Sequence, residues 1–575
     1  MNENYLTELD QLLSKNQNYT VENKVNKNKV AELAHKYDAG LIDALAGDTA
    51  MRRLFFIETA GNALVFNKDK FIQFISNKEF LPDSYTTYKN KIGLGTGTDL
   101  LAENKEVVLN WPYKDCVLEG GQDKEDAKRD EVFFNEVLAP EQVDRLLDEK
   151  VLTGWKRYDK DGEHDVTELA DNDNLIIRGN NLLALHSLKR RYAGKVKLIY
   201  IDPPFNTGSD SFGYNDRFTH STWLTFMKNR LEIAHELLDK DGNIFVHLDH
   251  NESHYLKVLL DEVFGRDNFV QEIIWNYGTA SGGRAAGAKP VNVHDYILNY
   301  AKRYDERKQN KLFTPYSEKY LEEWFKYQDD DGRRYRRRMA GDGTWTKQYL
   351  DESKGVPLTT VWGDIKQVYA DPRAYKDSVT TTEIVKGFNG QKPEQLIKRI
   401  LDMATDEGDL VLDYQLGTGT TAATAHKMKR QYIGIEQLDY GKNDPLGRLQ
   451  KIIAGDQSGI SKDTEWQGGG SFVYAHLLDL GNKFVDKVKN ASTDKELEDM
   501  LAQAQKSSFL SYKVRPENIN PADKDFASLS MAHKKQLLLE LVDLNHLYVN
   551  YTEIDDTDYG VSEADKKLNK QFYEK

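Results

Sequence analysis

Cysteine is almost absent from this chain: 575 residues contain one, Cys116. A single thiol excludes an intrachain disulfide framework and any thiolate cluster for a metal. Long hydrophobic runs are missing too, so no segment reads as a membrane span. The opening MNENYLTELDQLL lacks the basic flank and apolar core of a signal peptide, and these absences predict a cytoplasmic protein. The phosphate loop of ATP-driven motors is also lacking. Gly-Lys occurs only at Gly194-Lys195 and Gly441-Lys442, followed by Val196 and Asn443 where Ser or Thr would be needed. Nor is there excess positive charge, since the net charge is −15. That does not exclude a polyanionic partner, because such binding depends on where positive charge is gathered. It is gathered at GRRYRRRMAGDG, where five arginines and one tyrosine fill Arg333 to Arg338.

What is present is an ordinary globular balance, 30% charged and 39% hydrophobic, in a chain long enough for several domains. Residues 1–140 mix helical segments with the strand-like RRLFFIE and NALVFN, an α+β region suited to packing or dimerisation. A βα rhythm begins at NLIIRGNNLLALHSL and continues through STWLTFMKNRLEIAHELL, whose apolar residues fall at helical spacing, and the strand NIFVHL. Strands alternating with helices predict an α/β fold with a mostly parallel sheet. The rhythm occupies 141–275, fails over 276–384, which reads as an insert, and resumes over 385–470. Residues 471–575 read as helical and charged, a packing or partner-binding region.

Two strand ends carry chemistry. In VKLIYIDPPFNTGSD, a buried strand stops at Asp202, Pro203, Pro204 and Phe205. Two prolines cannot donate to a ladder and each fixes its own φ, so a carboxylate, a carbonyl and an aromatic ring are held in one rigid relation. In GDLVLDYQLGTGTTAATAHKM, a strand reaches Asp413, Gly417-Thr418-Gly419 makes a tight turn, and a small-residue helix opens at Thr420. Glycines let backbone approach a ligand, and the helix start offers free N–H groups. The next strand, YIGIE, ends in Glu436, an acid placed to accept ribose hydroxyls by the logic of dinucleotide folds. KNKIGLGTGTDLL has more regular glycines, but no apolar strand enters it and no acid-ended strand follows, so it reads as a loop.

The Asp-Pro-Pro-aromatic turn followed, after an insert, by Asp-x-x-x-Gly-x-Gly-Thr-Thr resembles the β arrangement of the amino-group DNA methyltransferases. The segments DKFIQFISNKEFLPDSYTTYKNKIGL, TVWGDI, GFNGQKPEQLIKRIL and HKMKRQYIGIEQLDY extend the likeness to the Mod subunits of type III restriction-modification systems. The resemblance implies a Rossmann-like methyltransferase core, S-adenosylmethionine as cofactor, and N6-adenine methylation of double-stranded DNA. It implies a homodimer that pairs with a separate helicase-nuclease (Res) subunit. It puts the catalytic turn on Asp202, Pro203, Pro204 and Phe205. The cofactor site falls on Asp413, Gly417, Thr418, Gly419, Thr420 and Glu436, with Lys392 in the methionine-side segment QKPEQL. Both motifs depart from the pattern: Phe205 stands where Tyr is common, and Gln415 and Thr418 replace a Phe and a Ser.

An exocyclic amine is a poor nucleophile because its lone pair is delocalised into the ring. Two fixed acceptors, the Asp202 carboxylate and the Pro203 carbonyl, would favour a pyramidal nitrogen, with protein position and electrostatics doing the rest. The amine is inaccessible inside a duplex, so the base must be flipped onto Phe205. The insert is the expected target-recognition region, with Arg333, Arg334, Arg336, Arg337 and Arg338 contacting phosphate for the most part, or guanine. HLDHNESH holds His247, His250 and His254, but the reaction needs no metal and none is expected. N4-cytosine methylation is the alternative chemistry, and a DNA-recognition subunit without methylation is the alternative class.

Overall fold

The computed structural model describes residues 5–16, 27–58, 64–76, 140–207, 218–278, 290–368, 390–438, 444–479, 491–506 and 548–574. It also describes short pieces at 19–21, 24–25, 85–86, 93–96, 99–100, 109–110, 116–118, 133–135, 440, 488, 529–531, 533–535 and 538. Its centre is an eleven-stranded sheet. In chain order the strands are β1 (Leu152–Asp159), β2 (Gly162–Asp165), β3 (Leu175–Arg178), β4 (Val196–Ile201), β5 (Leu238–Leu248) and β6 (Phe269–Asn276). These are followed by β7 (His294–Ala301), β8 (Val361–Trp362), β9 (Leu410–Asp413), β10 (Gln431–Glu436) and β11 (Phe472–Leu477). They lie side by side as β2-β1-β11-β3-β10-β9-β4-β5-β7-β6-β8. From β11 to β5 every pairing is parallel. The antiparallel pairings lie at the two flanks.

Near-continuous apolar strands such as VKLIYI need cover on both faces, and the sheet has it. Ile199, Ile201 and Leu412 face one core, with α1 (Asn181–Tyr192), α2 (His220–Leu237) and α3 (Ser253–Leu260). Leu198, Tyr200 and Val411 face the other, with α4 (Glu394–Ala404), α5 (Thr420–Lys427) and α6 (Pro445–Ile453). The doubly covered parallel sheet agrees with the expected fold class. Among the described residues no helix is long and apolar enough to cross a membrane.

Several expected boundaries need correction. The core does not pause at 276: β7 pairs with β5 over Tyr296–Ala301 and with β6 over His294–Tyr300, and β8 adds to the edge. What leaves the sheet is the stretch between Ala301 and Val361. The core also does not end at 470, because β11 inserts between β1 and β3. Past it, α7 (Glu563–Tyr573) docks on β1, where the Asn569 side chain exchanges two hydrogen bonds with the Leu152 backbone at 2.6 and 2.8 Å. RRLFFIE is half helix: Asp48 caps Thr49–Phe55 through the Ala50 and Met51 amides, and the strand starts only at Phe56. KNKIGLGTGTDLL is not a plain loop, since Gly93–Thr96 pairs antiparallel with Asp99–Leu100.

Candidate active site

β4 ends at Ile201, and the turn beyond it is tied down on every side. The Trp223 indole N–H donates to the Pro204 carbonyl at 2.9 Å. Asn206 takes a left-handed φ of 57°. Its side chain donates to the Phe218 carbonyl (3.0 Å) and to Glu252 (2.6 Å), and accepts from the Phe218 amide (2.7 Å). A non-glycine residue in that region is strained, and here three hydrogen bonds hold it. Fixing Pro204 and Asn206 fixes what lies between and before them. Asp202 Oδ2 accepts from Lys392 Nζ at 2.7 Å, while Oδ1 is buried and has no partner among the described residues. Lys392 Nζ also sits 4.9 Å from the centre of the Phe205 ring. Beneath Phe205 lies His247, ring centres 6.1 Å apart.

β9 lies beside β4 and delivers the glycine loop to the same end of the sheet. Asp413 folds back over it, accepting from the Gln415 amide (3.0 Å) and the Thr421 hydroxyl (2.6 Å). Gly417 and Gly419 have φ of 55° and 81°, a conformation L side chains avoid. A Cβ on Gly419 would also come within 2.8 Å of Pro445, whereas one on Gly417 would meet open space. Glu436, ending β10, accepts the Gly417 amide at 2.7 Å and the Leu438 amide at 2.8 Å. Burial pushes both Asp413 and Glu436 up to about 7. The Thr420 hydroxyl accepts from Arg448 Nη1 at 2.9 Å, and Thr418 is buried in the turn.

The two motifs therefore open onto one cavity. Asp202, Pro203, Pro204, Phe205, Lys392, Asp413, Gly417, Thr418, Thr420 and Glu436 all line it. Gly419 does not; it lies behind, against Pro445.

Residues 196–442 match the family described as DNA methylase, and residues 38–94 match the type III restriction/modification enzyme methylation subunit. Across 99% of its length the chain is 34% identical to the "Probable type III restriction-modification enzyme HindVI Mod subunit" of Haemophilus influenzae, and covers 98% of that protein. The chain belongs to the Mod subunits of type III restriction-modification enzymes. It is 29% identical to the EcoP15I Mod subunit of Escherichia coli, over 48% of this chain and 60% of that one. Among solved structures, the cytosine-N4-specific PvuII DNA methyltransferase is 14% identical over 50% of this chain and 94% of its own, with a TM-score of 0.31. The M1.HpyAVI–SAM complex is 16% identical over 46% and 94%, with a TM-score of 0.28. This Mod subunit is thus a site-specific DNA methyltransferase of a restriction-modification system.

The arginine run of this Mod subunit lies away from the cavity, on a hairpin of Arg334–Met339 and Trp345–Tyr349. The structure divides the run. Arg333 is paired with Asp351 and Glu352. Arg334 donates to the carbonyls of Phe325 and Leu321, and Arg336 to Gln348 and the Tyr320 hydroxyl. These three hold the hairpin to its supports. Arg337, 4.7 Å from the centre of the Tyr327 ring, and Arg338 remain on its exposed part, Arg337 directly opposite Lys347. Like charges facing each other across a ladder are unfavourable alone and suit an anionic partner.

The histidines of HLDHNESH separate. His247 joins Tyr200 (2.9 Å) and Asp295 (3.1 Å) under the turn that carries Phe205, His250 reaches Asn292, and His254 packs on the Tyr296 ring. Burial lowers the pKa of His247. This support was not legible from spacing, because Asp295 arrives on β7.

Proposed function

We propose that this Mod subunit transfers a methyl group from S-adenosylmethionine to the N6 amine of adenine in duplex DNA, with the target base turned out of the helix. The observation carrying this reading is the unpartnered Asp202 Oδ1 at the cavity wall, beside Pro203 and the Phe205 ring. A buried acceptor without a donor is costly, and an amine presented edge-on would satisfy it. The Pro204 carbonyl is already taken by Trp223, which leaves the Pro203 carbonyl for the second amine hydrogen. Phe205 offers the stacking face once Lys392 moves off it. The cofactor, when bound, supplies the transferable methyl on a sulfonium leaving group. Glu436, Gly417 and Lys392 would hold it, the open space above Gly417 admitting it to the backbone.

Methylation-sensitive long-read sequencing of DNA exposed to the protein tests base and site together. Methyl groups on adenine within one short sequence are expected, and methyl groups on cytosine N4 would overturn the assignment.

Glu436 binds ribose hydroxyls best as a carboxylate. With its pKa raised to about 7, cofactor affinity should rise as pH increases through neutrality. Titration calorimetry on Glu436→Gln should give weaker binding without that rise. An unchanged slope would move the titrating role to Asp413.

The DNA contact of the hairpin falls on Arg337 and Arg338. Replacing both by Ala should weaken duplex binding across all sequences and reduce the salt slope by about two. Cofactor affinity should not change, and its loss would place the hairpin's role elsewhere. The relatives' names as type III Mod subunits support a Res partner, and the family resemblance supports a homodimer. Co-sedimentation with and without a Res subunit tests both.

A further inference from the structure

The arginine hairpin has an end that contacts between cations and phosphate leave unexplained. Met339 and Trp345 are its last paired residues before the turn, and they stand directly opposite each other. Both side chains therefore leave one face of the ribbon side by side. Met339 is 56% exposed and Trp345 64%, so the pair forms a bare apolar tip. Trp324 is also exposed, but it stacks on Tyr320, whereas among the described residues no ring packs on Trp345.

Strand register places charge behind this tip. Alternate residues of a strand share a face, so Arg337 and Lys347 follow Met339 and Trp345 on the same side, two residues back. Lys347 rests 4.6 Å from the centre of the Tyr335 ring, as Arg337 rests on Tyr327. Arg338, paired with Thr346, leaves from the opposite face. The one acid of the turn, Asp342, accepts from the amide and hydroxyl of Thr344. A narrow ribbon with cations on both faces and an apolar end suits entry into a groove tip first, between two walls of phosphate. Two residues of strand span about 6.7 Å, and the grooves of B-DNA are about 7.5–8.5 Å deep. With its cations level with the phosphates, the hairpin brings its tip to the base edges.

Resting on the reading of this hairpin as a DNA contact, we propose that the Met339–Trp345 pair is a wedge that inserts at a base step of the duplex, unstacks it and kinks the helix. An apolar side chain pushed between bases exchanges stacking for burial of its own surface. The ease with which that step deforms then becomes part of the recognised sequence, without a hydrogen bond to either base.

2-Aminopurine brightens when it leaves the stack. It tests the wedge when placed in turn at each position of a duplex carrying the methylated sequence. Wild-type protein should brighten two places, the target base and a separate step. The double variant Met339→Ser, Trp345→Ser should keep the first signal, lose the second and bind duplex about tenfold more weakly. Its salt slope should equal that of the wild type because no phosphate contact is removed, unlike the loss expected for Arg337 and Arg338. Cofactor affinity should also stay at the wild-type value, since both side chains are exposed. A single bright position in the wild type, at the target base, would overturn the wedge, as would both signals persisting in the variant. A bright step without a bright target base would leave the wedge standing and overturn base flipping instead. A variant that treats DNA as the wild type does, but no longer co-sediments with a Res subunit or a second copy, would reassign the tip to a protein contact.

Discussion

Asp202→Ala should reduce methyl transfer by about a thousandfold or more while duplex DNA binding and cofactor binding persist. The size of the effect follows from preorganisation. Trp223 and Asn206 hold the turn before any substrate arrives, so the turn's own backbone need not reorganise when the amine enters. Removing the carboxylate removes an acceptor that is most valuable when the nitrogen carries developing positive charge. Alanine also strips Lys392 of its partner, leaving the ammonium with the Gly390 carbonyl at 3.2 Å. Asp202→Asn separates these effects because it keeps the shape and one acceptor without the charge. It should recover only a small part of the rate. Incorporation of labelled methyl groups, with cofactor affinity measured on the same preparations, checks both variants. Full activity in either one would remove Asp202 from the chemistry. Lys392 predicts a companion effect. It occupies both the Asp202 oxygen and the face of the Phe205 ring, so on the proposed base-flipping route it must leave before the base enters.

What could be read in advance follows from how local each signal is. The two site strands were legible because each is a short apolar run ending in residues that only a special turn tolerates. Their adjacency was not: Leu198 pairs with Val411 across two hundred residues, and no local pattern encodes that register. β11 was missed because FVYAHL stands alone in a stretch whose composition reads as something else, here helical and charged, yet it completes the sheet beside β3. β7 was missed for the same reason inside a stretch read as an insert. The arginine run shows the opposite error. Composition marked five cations, but whether each is free depends on Asp351, Glu352, Tyr320 and two helix-end carbonyls, none of which the run itself contains. Gln415 was visible as a departure from a pattern, while its carboxamide's lack of a partner among the described residues exists only in three dimensions.

The largest stability effect is expected far from any motif, at Glu394 in α4. Its side chain is 1% exposed and receives Lys427 Nζ and Arg448 Nη2, each at 2.8 Å, together with the Ile460 amide at 3.1 Å. Burial pushes its pKa up, but Arg448 and Lys427 outweigh burial and hold it below the ordinary 4.5. Lys427 is itself fully buried, so Glu394→Ala leaves an uncompensated ammonium inside the core. Breaking one side of such a pair costs about 3–5 kcal/mol, enough to lower Tm by on the order of 10 °C. A carboxylate with a depressed folded pKa contributes above its unfolded value and loses that contribution as pH falls through the folded one. The gap between wild type and variant should therefore be full at neutral pH and close only in acid, as pH falls through the lowered folded pKa. Arg448 carries the damage to the site, because it also holds Thr420 Oγ1 at the start of α5. Cofactor affinity should fall along with stability, whereas Asp202→Ala leaves it intact. Thermal melts across pH, paired with calorimetry, check both halves, and a melt unmoved by Glu394→Ala would show that Lys427 finds another partner.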